Sequence, residues 1–209
     1  MQSESNISTT RRGFLKASAA AGTVAALGAN FAHAAGSDII KVGVIGCGGR
    51  GSGATGNCVA GAKGAGAQVQ IVAVGDAFIN NAKGLAGKHK VPDDKVFAGL
   101  DAYKKVLDAG VDMVILATPP GFRPYHFQAA IEAGKHVFFE KPVAVDPTGV
   151  RIVMKASEMA DQKKLGVVAG TQRRHELPFQ ETIKRVHDGA IGDVLYMRIH
   201  WDGGGIWYR

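Results

Sequence analysis

Gly46-Cys47-Gly48-Gly49-Arg50-Gly51 directly follows the apolar run Val42-Gly43-Val44-Ile45. A strand ending in Gly-x-Gly-x-x-Gly and leading into a helix suits the binding of a pyrophosphate. Gly46 permits a tight turn, Gly48 carries no Cβ to hold phosphates off the backbone, and Gly51 lets the helix pack closely on the strand. The amides of Cys47, Gly49 and Arg50 then lie at a helix N-terminus, where free N–H groups and the helix dipole favour anions. Asp76 ends a second apolar run, 25 residues after Gly51, where a carboxylate can accept hydrogen bonds from ribose hydroxyls and repel a 2′-phosphate. The Gly- and Ala-rich stretch 60–67 accounts for a spacing longer than usual. These residues together predict NAD, with NADP the less favoured form.

Further along, Thr118-Pro119-Pro120 and Glu140-Lys141-Pro142 each close an apolar run. Loops at the carboxyl ends of parallel strands line the ligand crevice of open α/β sheets. A lysine at such a place, partly desolvated, can exchange a proton with a substrate hydroxyl, and Glu140 can orient it as a counter-charge. Taken alone, Glu-Lys-Pro reads as a solvated strand end. His126 can face the same crevice or serve as a packing histidine. Gln172, Arg173 and Arg174, after a sixth apolar run, can anchor substrate oxygens or the nicotinamide side. No spacing of metal-ligating residues stands out, and no metal site is expected.

The elements that must position these residues alternate as strand and helix. Strands are expected at Ile39–Ile45, 68–74, 95–97, 111–117, 136–140 and 166–169. Helices are expected at 51–62, Ile79–His89, 101–109, 124–133, Pro147–Gln162 and 178–188, with Asp101 and Gly134 as caps. The sum is an open doubly wound parallel α/β sheet of the Rossmann type. Residues 194–201 alternate apolar and polar as a half-exposed strand would, and so predict the opening of a second sheet. The expected organisation is a signal peptide at 1–34, a dinucleotide domain at 35–172, and at 173–209 the beginning of a truncated C-terminal α/β domain. The chain thus reads as an N-terminal fragment.

Of the 209 residues 46% are hydrophobic and 21% charged, as in a globular protein. The net charge is +7, and three cations and one acid in residues 1–34 account for two of those charges. The other basic residues are interspersed with acids, which describes a solvated surface and not a nucleic-acid face. Ser8-Thr9-Thr10-Arg11-Arg12-Gly13-Phe14-Leu15-Lys16 is a twin-arginine pattern, followed by an alanine-rich run and by Ala32-His33-Ala34. It predicts export to the periplasm by the twin-arginine machinery, with cleavage after Ala34. That route carries folded proteins, which fits a cofactor loaded early and held tightly. The two cysteines, Cys47 and Cys58, lie about two helical turns apart, too far for a disulfide, and read as packing residues.

The glycine loop, a strand-ending Asp, Ala117-Thr118-Pro119-Pro120, and Ala133-Gly134-Lys135-His136-Val137 running into Glu140-Lys141-Pro142 occur in one order. In that order the chain resembles the glucose–fructose oxidoreductase, inositol dehydrogenase and rhizopine catabolism (Gfo/Idh/MocA) family. Gly170-Thr171-Gln172-Arg173-Arg174 is similar to its exported members. The resemblance implies NAD(P)-dependent hydride transfer at a carbon of a sugar, cyclitol or related polyol. It also implies Lys141 as the active-site lysine and a C-terminal domain that completes the site and mediates homo-oligomer formation. The family's usual aspartate and histidine have no counterpart before Arg209, so the chain alone is expected to be inactive. Two other functions fit the same fold: an NAD-dependent glycoside hydrolase with no net redox change, and a non-catalytic cofactor-binding protein.

Overall fold

Short runs of Val, Ile and Leu, each closed by Gly, Asp or Pro, set the strands, because residues buried on both faces of a sheet need no polar alternation. The computed structural model describes residues 39–200. Its strands are β1 (Ile39–Ile45), β2 (Gln68–Asp76), β3 (Val96–Ala98), β4 (Met113–Leu116), β5 (His136–Phe139) and β6 (Val167–Ala169). Its α-helices are α1 (Gly49–Gly64), α2 (Ile79–His89), α3 (Ala102–Leu107), α4 (Arg123–Glu132), α5 (Pro147–Gln162) and α6 (Leu177–His187). All strand pairs are parallel, in the order β3-β2-β1-β4-β5-β6. That is the order of doubly wound dinucleotide-binding sheets, with the switch point between β1 and β4.

Successive strand residues point to opposite faces, so the sheet divides the core in two. On one face Val42, Val44, Ile71, Val74 and Ile115 pack with Ala54 of α1 and with Ala82, Leu85 and Ala86 of α2. On the other, Ile45, Val114, Leu116, Val137 and Phe139 meet Val106 and Leu107 of α3, Phe127, Ala130 and Ile131 of α4, and Val153, Ala156 and Ala160 of α5. The Phe127 and Phe139 rings stack with centroids 4.8 Å apart, fixing α4 against β5. Helix α4 ends as expected. Gly134, at φ 71°, donates to Ile131 O, and the Lys135 amide donates to Ala130 O.

Three expectations are corrected. Helix α1 begins at Gly49, two residues before the expected start, which brings Gly49 and Arg50 into its first turn. Asp101 stands at the N-cap of α3, but its carboxylate pairs with Lys104 Nζ at 2.7 Å instead of capping an amide. Residues 194–200 form no strand: every one is exposed, and no strand of the sheet lies beside them to complete a ladder. A pleated alternation becomes a strand only when its N–H and C=O groups find partners. The twin-arginine segment and the rest of 1–38, and the stretch from Trp201 to Arg209, lie outside the described residues.

Candidate functional site

The glycine loop turns where β1 ends. Gly46 adopts φ 93°, and a Cβ there would come 2.6 Å from the Thr118 amide nitrogen, so the chain ends of β1 and β4 touch. A Cβ on Gly51 would stand 1.8 Å from the Gly46 carbonyl oxygen, which is why α1 can start directly against the strand. Gly48 and Gly49 differ. An added Cβ at either meets nothing within 4 Å, so they face open space above the loop. No side chain caps α1, and its leading amides have no acceptor from within the helix. A backbone cradle open above Gly48, with uncapped N–H donors, fits a dinucleotide pyrophosphate.

Not every loop residue expected at the cofactor faces it. Cys47 is buried, its Sγ 3.4 Å from the Gly75 carbonyl oxygen, and burial followed by the nearby Asp76 charge pushes its thiol up to about 12. Its amide donates to Asp76 Oδ2 at 2.7 Å and is therefore not free for a phosphate. Asp76 Oδ1 accepts from the Phe78 amide at 2.9 Å and from Asn81 Nδ2 at 3.2 Å. The carboxylate is thus fixed by three donors where β2 meets α2. Both cysteines are free thiols, Cys58 half-buried.

Thr118 follows β4, and its Oγ1 shares a proton with His126 Nδ1 across 3.1 Å. His126 is only 7% exposed, and its ring lies 4.3 Å from that of Tyr103. Burial first, and then the adjacent Arg123 charge, bring it down to about 4. A buried neutral imidazole in this position holds Thr118. It does not face the crevice as a substrate ligand, which corrects that expectation.

Arg123, one residue into α4, is the site residue the sequence reading missed. It is 3% exposed, and its Nη1 and Nη2 donate to the carbonyl oxygens of Pro142 and Thr118. A readable signal existed: a cation in the first turn of a helix opposes the helix dipole, so it needs another reason to be there.

Glu140 does not serve Lys141 as a counter-charge. Its buried carboxylate accepts from Arg50 Nη2 at 2.5 Å, tying the loop after β5 to the glycine loop. Gly170 leaves room for it, since a Cβ there would lie 3.1 Å from both carboxylate oxygens. Lys141 itself is exposed, which corrects the desolvated setting expected for it, and its peptide to Pro142 is cis. It lines a cleft of about 280 Å³ together with Gly170, Thr171, Gln172, Arg173 and Arg174. The fold therefore brings Lys141, Gln172, Arg173 and Arg174 together as expected. The Arg173 guanidinium lies 4.9 Å over the Phe179 ring.

Residues 40–170 match the model of the Gfo/Idh/MocA oxidoreductase family, described as an oxidoreductase family with an NAD-binding Rossmann fold. The chain belongs to this family. An inositol 2-dehydrogenase of Saccharopolyspora erythraea is 35% identical over 163 residues, which cover 77% of this chain and 45% of that protein. The inositol 2-dehydrogenase of Rhizobium meliloti is 31% identical over 149 residues, covering 71% and 42%. The chain thus spans less than half the length of these curated relatives. The scyllo-inositol dehydrogenase of Lactobacillus casei, solved with NAD(H) and scyllo-inositol, superposes with a TM-score of 0.62 at 24% identity. That match covers 74% of this chain and 43% of that one, and shows the shared fold.

Proposed function

We propose that this chain is the dinucleotide-binding part of an oxidoreductase that oxidises a CH–OH group of a cyclitol, sugar or related polyol, or reduces the corresponding carbonyl. One observation carries the reading: the open cradle over Gly48 and the cleft at Lys141 lie at the same carboxyl edge of the sheet. The uncapped start of α1 would hold the pyrophosphate, and Asp76 would take the ribose hydroxyls and disfavour a 2′-phosphate. NAD is therefore the favoured cofactor, and when bound it supplies the hydride acceptor or donor. Lys141 Nζ exchanges the substrate hydroxyl proton, while Gln172 and Arg174 bind oxygens across the cleft. The names of the curated relatives support a cyclitol as the substrate class.

Export belongs to the same proposal and rests on the twin-arginine pattern at Arg11-Arg12 and on Ala32-His33-Ala34. Self-association rests on the family resemblance. A screen of inositols and sugars with NAD, followed at 340 nm, tests the activity in the protein as the cell makes it. Reduction of NAD that Lys141→Ala lowers by about two orders of magnitude or more supports the role of the lysine. Undiminished turnover in that variant removes Lys141 from the chemistry. Aglycone release without NADH would favour the redox-neutral hydrolase instead.

A further inference from the structure

Arg123 is a buried cation at the start of α4, where the helix dipole disfavours it. Its Nε is buried with no hydrogen-bond partner, so the guanidinium is not there for complete satisfaction of its own donors. An apolar side chain of similar length would fill the same space without the desolvation cost of a charge. What such a residue could not do is reach two carbonyls at once. Nη2 holds Thr118 O in the loop after β4, and Nη1 holds Pro142 O in the loop after β5. Pro142 adjoins Lys141, and Thr118 is the residue against which Gly46 packs. Glu140, which pairs with Arg50 of the glycine loop, also bears on Arg123 electrostatically. The planar fork of a guanidinium spans two acceptors in a fixed geometry, as a single ammonium cannot.

Resting on the dinucleotide reading above, we propose that Arg123 is a positioning residue: it locks the Thr118 loop and the Lys141–Pro142 loop in register, so that cofactor and lysine share one edge. Beyond the last ladder bond, from the Glu140 amide to Leu116 O at 3.0 Å, no other hydrogen bond among the described residues joins the two loops.

The test is amide hydrogen exchange on the full chain, read on peptides covering 115–122 and 139–145. The variants are Arg123→Met and Arg123→Lys, with NADH affinity followed by fluorescence. Exchange in both segments is expected to rise about tenfold in Arg123→Met, while β2 keeps its protection. NADH binding is expected to weaken about fivefold, and Arg123→Lys is expected to recover little of either effect. In Arg123→Ala, added methylguanidinium is expected to restore part of the lost protection. Unchanged exchange in either loop overturns the proposal. So does a rise of equal size throughout the sheet, which would mark Arg123 as a simple core residue. If the unsubstituted chain takes up no NADH while the two loops respond as expected, the dinucleotide reading fails and the clamp stands.

Discussion

Gly48→Ala separates the binding role of the glycine loop from its folding role. In the chain itself the new methyl meets nothing within 4 Å, and Gly48 sits at φ −67° and ψ −169°, a conformation open to any residue. The folded state therefore bears no strain, and the loss of a glycine from the unfolded chain stabilises by about 0.4–1 kcal/mol. Thermal midpoint should stay level or rise slightly. A pyrophosphate lying over Gly48 must move away from that methyl and from the α1 amides, and a tenfold loss of affinity, about 1.4 kcal/mol, is the least expected. Gly51→Ala is the control of opposite kind. Its Cβ would stand 1.8 Å from the Gly46 carbonyl oxygen, whereas real Cβ contacts essentially never fall under 3.0 Å, so α1 must retreat from the strand. Overpacking of this sort costs about 1–3 kcal/mol, and stability and binding should fall together. NADH titration by fluorescence, beside thermal melts of both variants, reads the contrast. A folded Gly48→Ala chain that binds NADH as tightly as the parent would show that the phosphates do not cross Gly48.

Acid should cost the fold stability through His126. Its folded value of about 4 lies well below the ordinary 6.5, so the unfolded chain binds the extra proton between those limits. Stability from this site is complete above pH 6.5 and drains away toward pH 4, for about 3 kcal/mol in all. Urea midpoints at pH 7 and 4.5 should therefore converge between the parent and His126→Gln, and curves that stay parallel would refute the assignment. At the Arg50–Glu140 pair the expectation is an asymmetry, because Arg50 is 56% exposed and Glu140 is buried. Arg50→Ala strands a buried carboxylate and should cost up to about 3 kcal/mol, and adding Glu140→Gln should recover part of the loss. Equal melts for the single and double variants would argue against a stranded charge. Asp76→Ser should raise the affinity for NADPH relative to NADH by tenfold or more, about 1.4 kcal/mol, in paired titrations. An unchanged ratio would place the ribose elsewhere.

The sheet was legible because its strands are apolar runs with sharp ends. β1, β4 and β5 each close on a glycine or proline motif, and those motifs also line the candidate site. Lys141, Gln172, Arg173 and Arg174 could be grouped from their places at strand ends, and the cleft unites them. Partners of long side chains were not legible. Sequence adjacency points Glu140 toward Lys141, but Arg50 reaches it from 90 residues away. His126 was open between crevice and core, and Tyr103, on a different helix, puts it in the core. The alternation at 194–200 was real as a pattern, yet a ladder depends on a neighbour that no pattern within one segment can specify.

The Cys47 thiol offers a clock on the motion of the loop it occupies. A sulfhydryl held near 12 and shut in the core gives almost no thiolate to a reagent at pH 8. Its alkylation must therefore wait for the turn between β1 and α1 to open, and at reagent concentrations where alkylation outpaces reclosing the rate of labelling is the frequency of that opening. With half-buried Cys58 replaced by serine, a single thiol reports on the segment, free of any enzymatic assay. A dinucleotide spanning the turn should lengthen the interval between openings.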